Sequence, residues 1–117
     1  MKFLLMTTPD PDAPPVRPNP EDYAEMGELI EEGFRDGTLV ATGTMDPQVT
    51  KITSAAGEFS LTDGPFTEAK EAIVGYALVD VASRDEAIAL SKRFWKIVGD
   101  GSGIIQRLYD PNEIPGA

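Results

Sequence analysis

The sequence contains no cysteine and no histidine. Those two absences remove disulfide frameworks, thiol nucleophiles, Cys/His zinc sites and every Ser–His or Cys–His pair. Acid–base chemistry near neutral pH would fall to an Asp, Glu, Lys or Tyr with a shifted pKa. A metal would have to be a hard cation held by oxygens. Asp10, Asp12 and Asp46 could offer them, but calcium-loop spacing is missing, so no metal site and no cofactor are expected. Basic residues are scarce, 10 against 20 acidic ones, for a formal net charge of −10. Such a surface repels polyanions, which excludes nucleic acid and anionic membrane as expected partners. Phe3-Leu4-Leu5-Met6 is too short for a signal-peptide core, and nothing approaches membrane-spanning length. A cytoplasmic protein is the expectation, and the lack of cysteine fits a reducing compartment.

What is present has the balance of a globular chain: 41% hydrophobic and 26% charged residues. At 117 residues one domain spanning 1–117 is expected, with a proline-rich loop over 9–20 and a polar tail over 110–117. Lys2 to Thr7 reads as a buried strand. Pro9, Pro11, Pro14, Pro15, Pro18 and Pro20 then deny the backbone donors that a ladder or helix interior needs. Asn19-Pro20-Glu21-Asp22 opens a helix with a cap, an early proline and first-turn acids. Tyr23, Met26, Ile30 and Phe34 form its apolar stripe, and Gly37 ends it. Gly27 and Gly33 flank the stripe and read as positions of close helix–sheet approach.

Thr38 to Gly43 is the next strand. Val49 to Thr53 and Glu58 to Thr62 form a hairpin with Ala56-Gly57 at its tip. Asp63-Gly64-Pro65-Phe66 breaks the pattern, and one or two helical turns are expected between Thr67 and Ala72. Gly75 to Val81 is a strand. Ser83 and Glu86 form a capping box. The helix behind it puts Ala87, Ile88, Ser91, Phe94, Trp95 and Val98 on one face. Gly103 to Tyr109 is the last strand. The fold class is therefore α+β: a ferredoxin-like β-α-β…β-α-β order with an inserted β-hairpin, an antiparallel sheet and two helices on one face. The second sheet face needs cover, and a second copy of the chain is the economical one.

Asp63-Gly64-Pro65-Phe66-Thr67-Glu68-Ala69-Lys70-Glu71 resembles the signature of the DGPF-domain, or YCII-related, family, with Thr67 and Ala69 as minor departures. Met1 to Leu5, Gly37 to Gly43, Met45-Asp46-Pro47, Gly75 to Val81 and Asp85-Glu86-Ala87 are similar to other stretches of that family, and Arg107 resembles the arginine of its closing strand. The resemblance implies a dimeric α/β-barrel-like assembly found mainly in bacteria, without implying a particular reaction. Some members neighbour genes for extracytoplasmic-function sigma factors. The His–Asp pair proposed for broader relatives has no histidine to carry it here. Ile105 stands where an acidic residue often precedes the arginine.

Four residues are the candidate ligand-binding set: Asp63, Phe66, Tyr76 and Arg107. The structural reading leads for three of them, Asp63 as an Asx-type turn residue and Phe66 and Tyr76 as core plugs, while Arg107 is read evenly as an ion-pair partner of Asp63 or Asp80 and as the holder of an anionic ligand. The expectation for function is a homodimer binding a small, partly apolar molecule in a pocket between sheet and helices. An alternative is an enzyme acting on a carbonyl or lactone, with Asp63 as the catalytic acid/base. Another is a regulatory interaction protein linked to a sigma factor.

Overall fold

The computed structural model describes residues 1–8, 21–46, 48–64 and 74–113. In chain order the elements are β1 (Lys2–Thr8), α1 (Asp22–Asp36), β2 (Leu39–Met45), β3 (Val49–Ala55), β4 (Glu58–Gly64), β5 (Val74–Asp80), α2 (Arg84–Val98) and β6 (Ser102–Leu108), followed by a short 3₁₀ turn, Pro111–Glu113. Four strands form an antiparallel sheet in the order β2-β5-β1-β6, and β3 and β4 make a separate two-stranded ribbon. This is the ferredoxin-like arrangement read from the pattern, with the hairpin inserted between β2 and β5. The proline-rich loop, the Asn19 cap, Phe66 and the expected turns after Thr67 lie outside the described residues.

Alternation along the central strands decides which side the helices cover. Phe3 pairs with Val79, and Leu5 with Ala77 and Ile105. Phe3 and Val79 are buried with Val81 and Ala87, and Leu5, Leu39, Ala77, Leu90 and Ile105 pack against them. Leu4, Met6 and Leu78, one residue out of phase, point to the opposite face, which no helix among the described residues covers.

Strand β2 has an irregularity that matters for the site. Leu39 pairs with Val79 but Ala41 pairs with Leu78, so Val40 is an extra residue, a β-bulge. Beyond it the phase is inverted: Thr42 and Thr44, opposite Ala77 and Gly75, take the helix-facing side.

Helix α1 turns Met26 and Ile30, the middle of the stripe read in the sequence, toward the sheet, but not the stripe's ends. Tyr23 and Phe34 are 61% and 51% exposed, whereas Gly33 is buried. A Cβ on Gly33 would stand 2.8 Å from the Leu39 Cβ, so this glycine sets the closest approach of helix to sheet. Gly27 has no such role, since a Cβ there meets nothing within 4 Å. Helix α2 begins with a variant of the expected capping box, in which Glu86 reaches back to the residue before the Ser83 cap. Ser83 Oγ accepts from the Glu86 N–H at 3.2 Å, and the Glu86 carboxylate accepts from the Ala82 N–H at 3.0 Å. An Arg93–Glu32 ion pair at 2.8 Å links the two helices.

Candidate functional site

The helices do not close fully on the sheet. Between them lies a cavity of about 320 Å³. Met26, Leu29 and Ile30 of α1 form one wall, Leu90, Phe94 and Trp95 of α2 another, and Leu5, Ala77 and Val79 the sheet floor. Phe94 and Trp95 meet edge to face, with ring centroids 5.2 Å apart and an interplanar angle of 79°, which fixes that wall.

Hydroxyls are set into this apolar lining. Thr7 is buried, and its Oγ1 accepts the Gly75 N–H at 2.7 Å. The Thr42 hydroxyl donates to the Tyr76 carbonyl at 2.9 Å. Thr44 and Ser91 also border the cavity, and no hydrogen bond ties either hydroxyl to another described residue. The cavity therefore offers contact area for an apolar body and a few neutral donors and acceptors for a polar tip. Among the described residues no charged side chain borders it, so these walls offer a fully charged guest no compensation for its lost hydration.

The four residues singled out in the sequence are placed differently from one another. Tyr76 borders the cavity, but its pairing with Met6 and Gly43 turns the ring to the face away from the helices. A Cβ on Gly43 would come within 3.0 Å of the phenolic oxygen, so the absence of a side chain there makes room for the ring. Asp63 is exposed on β4, where its carboxylate accepts the Thr50 hydroxyl across the hairpin at 2.6 Å. Arg107 pairs in register with Phe3. Its guanidinium lies 4.4 Å from the centre of the Tyr109 ring and 3.6 Å from Glu113. Glu113, rather than Asp63 or Asp80, is the carboxylate that faces it, while Asp80 pairs with the amino group of Met1 at 3.3 Å. The Arg107 Nε is buried with no partner among the described residues. Phe66 lies outside those residues. Neither Asp63 nor Arg107 borders the cavity.

Sequence reasoning missed Thr42, Thr44 and Ser91. Ser91 left a signal, a lone hydroxyl within the apolar stripe of α2. The two threonines left none, because the bulge that turns them inward has no signature in the strand's composition.

Among the described residues no group of three or more carboxylates could hold a metal ion, and no helix is long and apolar enough to cross a membrane. The model of the YCII-related domain matches residues 1–96. The chain belongs to the YCII-related domain family. An uncharacterised protein of Rhizobium meliloti (strain 1021) is 39% identical over 64 residues, which is 52% of either chain. The chain thus spans about half the length of that curated relative. The YCII-related match takes in β1 through most of α2, and with them the cavity's threonines, Ser91, Phe94 and Trp95, and the Asp63 signature. It stops short of β6, so Arg107 falls outside the matched residues.

Proposed function

We propose that this YCII-related protein binds a small, uncharged, largely apolar molecule in the cavity between its sheet and helices, and that it does so as a homodimer. The observation that carries the reading is the cavity itself: about 320 Å³, walled by aliphatic and aromatic side chains, with the Thr44 and Ser91 hydroxyls left unspent. Well-packed interiors leave few voids larger than a water molecule, and a space this size lies at the lower end of small-molecule sites. The open face of the sheet, with Leu4, Met6, Leu78 and Ile104, supports pairing with a second copy, because a single apolar sheet face needs a cover.

The test compares wild type with Ala77→Phe, which fills the cavity from the sheet floor. Thermal-shift titrations with a panel of lactones, phenols, alkanols and their charged analogues supply the readout. Uncharged members are expected to raise the melting temperature of wild type and leave the filled variant unmoved. If no compound shifts wild type while the filled variant melts higher, the cavity is a packing void and the proposal fails.

A further inference from the structure

The β3–β4 hairpin is the part of the molecule that its own fold does not explain. Every residue from Val49 to Asp63 is exposed. A two-stranded ribbon is marginal in water unless one face packs on something. The register shows which face is waiting. Ile52 lies directly opposite Leu61, and Ser54 opposite Phe59, so these three apolar chains share one side. They are 64%, 68% and 72% exposed for Ile52, Leu61 and Phe59. The reverse side carries Lys51, Thr62, Thr53, Ser60 and Glu58, with Val49 at its base and Ala55 beside the tip. The alternation gives the ribbon one apolar face, yet no described residue covers it. The Cα radius of gyration, 16.5 Å, exceeds the roughly 13 Å of a compact chain of this length.

We infer that the hairpin is an arm that lays Ile52, Phe59 and Leu61 on a second copy of this chain. The inference rests on the homodimer reading and adds a second contact to it. The area favours this occupant. A four-stranded sheet of seven-residue strands presents a face of about 19 by 23 Å, on the order of 440 Å², from strand spacing and rise. A stable interface buries roughly 800 Å² on each partner. The open sheet face alone falls short, and the hairpin's face adds on the order of 220 Å² by the same geometry, which brings the total to about 660 Å², inside the roughly 600–1,000 Å² per partner of standard interfaces. Both surfaces are apolar and both belong to every copy, so a two-fold pairing can cover them together. Charge agrees: two chains at −10 each repel, so contact between them has to be made by apolar faces. The arm's dry face carries one charge, Asp63 at its base, where the Thr50 hydroxyl holds it.

Sedimentation velocity decides the matter, using full-length wild type and two double variants. Ile52→Thr with Leu61→Thr keeps the strand preference of the ribbon while removing its apolar face. Lys51→Thr with Glu58→Thr alters the reverse face by the same chemistry. The dimer dissociation constant is expected to rise at least about 100-fold for the first pair, since each substitution acts twice per dimer, and to stay within about threefold for the second. If wild type dimerises and the first pair leaves the constant unchanged, the arm inference is overturned and the dimer stands. If both pairs weaken it equally, the effect is loss of the ribbon and the inference fails. A wild type that stays monomeric at 100-micromolar order overturns arm and dimer alike, without touching the cavity reading.

Discussion

Asp36 closes α1 and receives two hydrogen bonds from Thr38, one from the hydroxyl at 2.6 Å and one from the backbone N–H at 2.9 Å. They hold its carboxyl below the ordinary value of 3.8, the hydroxyl being the larger cause. A depressed folded-state pKa contributes stability that is fully present above that ordinary value and is lost as pH falls through the lower folded one. Thr38→Val should therefore raise the Asp36 pKa, as read by carboxyl NMR titration, and its stability deficit against wild type should shrink below about pH 4. Asp63 is the more consequential carboxylate for function. Its partner is an exposed hydroxyl across the hairpin, so Asp63→Asn should cost less than about 1 kcal/mol in urea unfolding and leave ligand-induced thermal shifts unchanged. Loss of a turnover activity in that variant, with binding intact, would point instead to acid–base chemistry at Asp63.

At the scale of elements, local chemistry made most of the fold legible. The Ser83 cap is formed, with Glu86 closing on the Ala82 N–H instead of that of Ser83, and Ser83→Ala should lower stability by about 1 kcal/mol, seen as a lower urea midpoint at unchanged slope. The hairpin tip was also readable: Ala56 and Gly57 both take positive φ, 52° and 80°, as a primed two-residue turn demands. Alanine is disfavoured there, so Ala56→Asn should slow amide exchange in β3 and β4 by stabilising the ribbon about 0.5–1 kcal/mol. What was misread has a common cause. Apolar periodicity weights large side chains, so the stripe of α1 ran from Tyr23 through Met26 and Ile30 to Phe34; the middle pair lines the cavity, but the ends are exposed and the closest contact is at Gly33. Gly33→Ala is expected to cost about 1–3 kcal/mol, because the Leu39 side chain has to give way. The bulge at Val40 was hidden for a different reason: it depends on how β2 meets β5, which no stretch of β2 alone encodes.

For the whole molecule, the sequence carried topology further than it carried the site. Element order and alternation lead directly to the sheet order β2-β5-β1-β6. The candidate residues Asp63, Tyr76 and Arg107 were chosen one at a time, and the chain sends them to a hairpin, an open sheet face and the far end of β6. Charge gives a prediction that belongs only to the assembly. Two copies at −10 repel across any shared face, and salt screens that repulsion. Dimer affinity should therefore rise between about 0.02 and 0.5 M NaCl, a range over which the screening length falls several-fold. Sedimentation at three salt concentrations measures it, and an affinity that falls with salt would mean ion pairs, not apolar faces, join the copies.

The extra residue in β2 makes the cavity's chemistry tolerant of one kind of genetic change. In-frame loss of the codon for Val40 would remove the bulge and leave Leu39 and Ala41 as direct neighbours opposite Val79 and Leu78, with Thr42 and Thr44 still opposite Ala77 and Gly75 on the helix-facing side. Loss of the codon for Gly43 has no bulge to absorb it and would turn the Thr44 hydroxyl to the open face. Among homologous genes, a missing codon at the bulge would therefore leave guest polarity unchanged, whereas one beyond Thr42 would alter it.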